Sequence, residues 1–349
     1  EDALFDKLAG TTILDDVPVD VIQLGLSAAR QRQGPQKASA YSRLYSIFFG
    51  KNGDQRGGEL SEIIFEMTDE EIGGDAVSLL HSRPGPLSLP IGQGLLRRLL
   101  SGRELPSGAD DLLAESGVTI DNDELVRMVL EDSEGRNRNV DAAASVLGAE
   151  GAGRLVDAVL EASKHVRGAD GKWDKVAGEK LRQLEARLRR VPGPSLLAAV
   201  RLRAHRASDN ELAEMAGMLS GHPHRDPRSQ RPFGADGLNM IRQLVIEWGE
   251  RLLSARPVNR HHLGKVAELA ERAPDPASLP LLAKMLDENL SQLRKYREQA
   301  GKDQWQGSAA DEARWPMTEL YQQAFVAIED ARTTEVLKHY LDNEEFGED

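Results

Sequence analysis

Apolar side chains along this chain recur at intervals of three and four residues. Tyr41, Leu44, Tyr45 and Phe48 form one such stripe, and Leu60, Ile63, Ile64 and Met67 form another. The i, i+3, i+4, i+7 spacing puts each set on one face of an α-helix. The same spacing predicts helices over 19–31, 36–49, 59–80, 92–101, 122–131, 138–166 with a break near Gly148, and 174–206 with a break near Pro192. Further helices are predicted over 208–220, 236–254, 258–273, 276–298, 310–329 and 332–343. No segment shows a persuasive strand pattern, so the expected fold class is all-α.

Punctuation agrees with this reading. Pro18 follows Asp16 and Val17 at a helix start, and Thr68 with Glu71 and Ser208 with Glu211 have capping-box spacing, in which each partner satisfies an orphan amide. The stretches 50–58, 82–90, 191–194 and 222–234 are rich in Gly, Pro or polar residues and read as connections.

A regularity emerges near the end. Val266, Leu269, Ala270, Asp275, Pro276, Leu279, Leu282, Leu286 and Asp287 spell a helix, a short turn and a second helix. Ala324, Ile328, Asp330, Thr333, Val336, Leu337, Leu341 and Asp342 repeat it, with Asp275 over Asp330, Leu282 over Leu337, Leu286 over Leu341 and Asp287 over Asp342. Leu212, Met215, Ala216, Met218 and Leu219 form a fainter relative of Leu279, Leu282, Ala283, Met285 and Leu286.

At these residues the chain resembles the HEAT-repeat family, most clearly over 260–349. The resemblance implies an irregular α-solenoid of helical hairpins, because the copies lie farther apart than the ~40 to 47 residues usual for such units. The excess falls in 288–315, a charged stretch that departs from a simple second helix. The expected division is 1–207, helical without clear repeats, and 208–349, HEAT-like. Residues 1–207 are then either the same solenoid or a distinct helical domain. The chain starts at Glu1 without a methionine and ends at Asp349 where another helix would follow, so the repeats are expected to continue in a longer protein.

Composition narrows the class. Of 349 residues 40% are hydrophobic and 29% charged, a balance that suits a chain folding in water. No apolar run approaches the roughly 18 to 20 residues that cross a bilayer, and the N-terminus lacks the pattern of a signal peptide, so a cytoplasmic location and no membrane partner are expected. Zero cysteines exclude disulfides and thiolate chemistry within the chain. A net charge of −13 opposes general attraction to nucleic acid.

Against that acidic whole, Lys180, Arg182, Arg187, Arg189, Arg190, Arg201, Arg203, Arg206, Arg225, Arg228 and Arg231 form a basic run. Arg201, Arg203, Arg206, Arg225, Arg228 and Arg231 are the candidate residues for an anion or a partner. Helical phase sends Arg187, Arg189 and Arg190 in different directions, so ordinary solvated faces compete with that reading. His222, His224 and Asp226 could ligate a metal, but they read better as a polar connection, and His261 and His262 read as residues of a helix start. Gly148, Gly151 and Gly153 precede a helix without the Lys and Ser or Thr of a phosphate loop, and an interhelix turn explains them. Asp69, Glu70 and Glu71, and Asp121, Asp123 and Glu124, complement helix N-termini. Trp173, Trp248, Trp305 and Trp315 read as packing anchors.

No catalytic residue, metal or cofactor is assigned. The leading expectation is a protein-interaction scaffold, or the recognition or regulatory region of a larger bacterial intracellular protein, with a protein partner. The alternative is nucleic-acid binding through the basic face around 180–231.

Overall fold

A computed structural model of the chain describes residues 28, 31–33, 36, 40, 89–105, 108–131, 139–166, 174–221, 233–300 and 318–342. Among these the protein is all-helical: thirteen α-helices, one 3-10 turn, and a single isolated bridge between Ile120 and Leu147. The helices expected over 19–31, 36–49 and 59–80 lie almost wholly outside the described residues. Among the described residues no helix is long and apolar enough to cross a membrane. The chain divides into two compact units, Glu1–Ser195 and Leu196–Asp349.

The described part of the first unit contains α1 (Leu89–Leu100), α2 (Ala109–Ser116), α3 (Asp123–Glu131), α4 (Asn139–Ser145), α5 (Ala149–His165) and α6 (Lys175–Leu188). Its centre is the shortest of them. α4 packs against α1, α2, α3 and α6, and Ala142, Ala143 and Ala144 have no exposed surface. Alanine has almost no side-chain bulk, so four helices can approach this one closely while its propensity keeps it helical. Asn139 fixes the helix in place, for its Oδ1 accepts from Leu105 N at 2.9 Å and its Nδ2 donates to Arg103 O at 3.0 Å. The sequence pattern misses α2, because eight residues offer too few turns for a period to show.

The second unit takes in most of α7 (Gly193–Ala204), then α8 (Asp209–Ser220), α9 (Gly234–Ser254), α10 (Arg260–Arg272), a 3-10 turn (Pro276–Ser278), α11 (Leu279–Ala300), α12 (Thr318–Ile328) and α13 (Ala331–Asp342). Alternate helices pack side by side. α10 lies between α8 and α12, while α9 packs on α11, and α10 also touches α9 and α11. α8, whose sequence echoes α11, therefore takes the place of a first helix beside α10. Gly249 on α9 lets α11 in: a Cβ there would meet Leu281 Cδ2 at 2.8 Å.

Apolar burial holds this unit. Leu263, Val266, Leu269, Leu282, Met285, Leu286, Tyr321 and Phe325 are fully buried, and a large apolar side chain withdrawn from water contributes roughly 1.5 to 3 kcal/mol. Local caps set the helix starts. Ser208 and Glu211 form the expected capping box, Asn259 accepts from His261 N, Asp275 accepts from Ala277 N and Asp330 from Arg332 N. The aligned residues Asp275 and Asp330 thus do the same job. Ser278 and Thr333, each three residues further on, are both buried. The alignment weakens along the second helix: Leu282 and Leu286 are core, Leu337 is half-buried, and the side chain of Leu341 lies outside the described residues.

Candidate functional site

The basic run separates into residues that build the fold and residues that do not. Arg187 is buried, and its Nη1 donates to Val129 O at 2.7 Å, joining α6 to the end of α3. Arg190 reaches Asp111 at 3.0 Å, Asp110 at 3.7 Å and Asp141 at 3.8 Å, so one guanidinium answers three carboxylates on α2 and α4. Burial, then repulsion from Asp111, pushes the Asp110 carboxyl above its ordinary value, with Arg190 pulling the other way. Arg182 pairs with Glu179 on its own helix. These cations are engaged within the first unit.

On α7 and in the turn after it the arrangement differs. Arg201, Leu202, His205 and Arg206 are exposed, with Leu202 at 73%. Arg201 Nη1 lies 3.4 Å from Met240 Sδ, and Arg203 donates to Ala199 O at 3.2 Å. Neither Arg201 nor Arg206 has a carboxylate partner among the described residues. The backbone carbonyls at this helix end are served from elsewhere, since Arg251 on α9 donates to Ala204 O and Ala207 O and pairs with Asp209 at 3.2 Å. Arg225, Arg228 and Arg231 lie outside the described residues, as do His222, His224 and Asp226.

No family model matches the chain, and no curated protein or solved structure matches it either.

The other sequence candidates take structural places. α5 does hold an anion at its N-terminus, but that anion belongs to the chain: Asp121 Oδ1 accepts from Glu150 N at 3.1 Å and Gly151 N at 3.0 Å. Gly148 makes room for it, for a Cβ at that residue would meet the Asp121 carboxylate at 2.5 Å. A dipole that favours phosphate favours this carboxylate equally. Asp123 pairs with Arg154 across α3 and α5, and Asn122 caps α3. His261 and His262 sit in the first turn of α10, and burial holds the His262 imidazole below its ordinary pKa despite Asp209 nearby. Trp248 is buried, whereas Trp173, Trp305 and Trp315 lie outside the described residues.

One apolar groove of about 320 Å³ runs over α3, α5 and α6, floored by Leu130, Ala158, Ala162, Ala177 and Leu184. Glu161, His165 and Lys180 also line it, and Glu161 is bonded to His165 at 2.9 Å and to Lys164 at 3.4 Å. Those bonds, His165 first, hold the Glu161 carboxyl below its usual range. Sequence reasoning found the α7 arginines but passed over Leu202. Leu196, Leu197, Val200 and Leu202 give that helix apolar residues on every side, so no period marks which of them stays outside.

Proposed function

We propose that the second unit is an irregular α-solenoid of HEAT-like hairpins and that the protein serves as a protein-interaction scaffold. The observation that carries this is the packing of alternate helices, α8 with α10 with α12 and α9 with α11. Stacked hairpins produce that order because each first helix buries its side against the next first helix. The matched caps at Asp275 and Asp330, and the buried Ser278 and Thr333 after them, support the same repeat. A stack of this kind presents long ridges and grooves, whose natural use is the capture of another chain.

Nucleic-acid binding uses the same arginines. It is the weaker reading because Arg187 and Arg190 of the basic run are spent inside the first unit. Chemical crosslinking of the full chain in cells that produce it, followed by affinity purification, tests the scaffold. One protein should recur in near-stoichiometric amount through salt washes. A chain that comes back alone under every condition would remove the proposal.

A further inference from the structure

We infer that the exposed patch formed by the end of α7 and the turn after it docks an acidic, amphipathic segment of a partner protein. The inference rests on the scaffold reading and gives it a place and a chemistry. Ala198, Arg201 and Leu202 stand at i, i+3 and i+4 on α7 and share one face, Ala198 being partly covered, and His205 and Arg206 follow in the turn that ends the helix, where Arg206 N donates to Arg203 O at 3.0 Å. Leu202 is 73% exposed. No carboxylate belongs to the patch, although Asp and Glu outnumber Lys and Arg in the chain by 57 to 44.

Three ordinary explanations of such a patch do not apply here. Cations at a helix end commonly complement its carbonyls, but Arg251 serves Ala204 O and Ala207 O here. Surface arginines commonly pair with nearby acids, but among the described residues Arg201 meets the Met240 sulfur, a weak acceptor, and neither it nor Arg206 has a carboxylate partner. Exposed apolar residues are common singly. Val176, at 79%, is one of them, standing beside Glu179 and Lys180 in a mixed setting. Leu202 differs in that its exposed sequence neighbours at 201, 205 and 206 are all basic.

That pairing selects the partner. A guanidinium offers parallel donors that fit a carboxylate, and Arg is favoured at protein interfaces. A partner helix with one apolar residue over Leu202 and carboxylates on either side satisfies all three side chains together. A nucleic-acid backbone would engage Arg201 and Arg206 but gain nothing from Leu202, so the leucine decides for protein.

Fluorescence anisotropy on the full chain tests this with two probes, a labelled peptide of repeated Glu-Glu-Leu-Leu blocks and a labelled oligothymidine. The peptide should bind. Leu202→Ser and Arg206→Glu should each weaken it by about tenfold or more, Val176→Ser should leave it unchanged, and all variants should keep the parent's helical circular dichroism. Absence of peptide binding would overturn the inference, as would binding indifferent to Leu202→Ser. Tighter oligothymidine binding, lost in Arg206→Glu and kept in Leu202→Ser, would assign the patch to nucleic acid. A cellular partner that crosslinks equally to Leu202→Ser would refute this docking face while leaving the scaffold standing. Leu202-dependent peptide binding with no cellular partner would do the reverse.

Discussion

α5 in the first unit and α8 in the second begin in contrasting ways. The amides of α5 are capped by Asp121, which lies 29 and 30 residues before the residues it bonds, whereas α8 is capped by Ser208 immediately before it and by Glu211 within its first turn. α4 and α10 repeat the contrast. Asn139 reaches back to Leu105 and Arg103, while Asn259 bonds His261 two residues on. The first unit has local caps too, Asn122 on α3 and Asp174 on α6, but at α4 and α5 it is pinned by side chains that find backbone groups far away in sequence. The second also has distant polar bonds, from Arg242 to Pro274 and from Gln292 to Val258, but its described helix starts at α8, α10 and α13 are set locally. A repeat can be copied along a chain only if each unit carries its own start signals, and local caps supply them.

The largest expected effect sharpens the core of the second unit. Leu286→Ala should cost roughly 2 to 5 kcal/mol in chemical denaturation, because a fully buried leucine leaves both lost transfer energy and a cavity. Leu282→Ala should cost as much, whereas Leu337→Ala, at the place aligned with Leu282 but half-buried, should cost well under half as much; equal costs at Leu282 and Leu337 would mean that the two hairpins are packed alike and that the fading of the repeat is illusory.

Next comes the long-range pinning of the first unit. Asn139→Ala strands the buried Leu105 amide and should cost about 1 to 3 kcal/mol. A loss below about 0.5 kcal/mol, typical of surface changes, would break the contrast between the units.

A smaller effect depends on pH. Hydrogen bonds from the Arg332 side chain and backbone hold Asp330 down to about 2, from an ordinary 3.8. A carboxyl whose folded pKa is lowered adds stability that is present above its unfolded value and disappears as pH falls through the folded one. Stability of the chain relative to Asp330→Asn should therefore be greatest above about pH 4 and vanish toward pH 2; a difference independent of pH would show that the cap does not ionise as described.

The smallest runs the other way. Asp110 is raised by burial and by Asp111, so its charge opposes folding increasingly as pH rises above the unfolded value. Asp110→Asn should raise the melting temperature slightly at neutral pH, and a fall would mean that the pairing with Arg190 outweighs the burial.

These differences also explain what the sequence disclosed. Helices α8 to α11 were legible because their apolar periods span several turns, and side-chain caps precede α8, α10 and the 3-10 turn that leads into α11. The Asp121 and Gly148 pair was not, since neither residue carries a local sign that the two meet. At the candidate site, charge pointed to Arg201, Arg203 and Arg206, yet it could not distinguish them from Arg187, which burial and Val129 claim for the fold. Leu202 was hidden because exposure is decided by which neighbours arrive, not by the helix that carries it.

Native-state hydrogen exchange on Phe325→Ala tests the repeat most directly. Phe325 is fully buried on α12, which packs on α10, and α10 in turn packs on α8. In a stack whose units feel chiefly their neighbours, protection should fall steeply in α12, less in α10, and stay near the parent value for the amides of Leu212 to Leu219 in α8. Loss of protection to the same extent in all three helices would show a single cooperative core and contradict the solenoid.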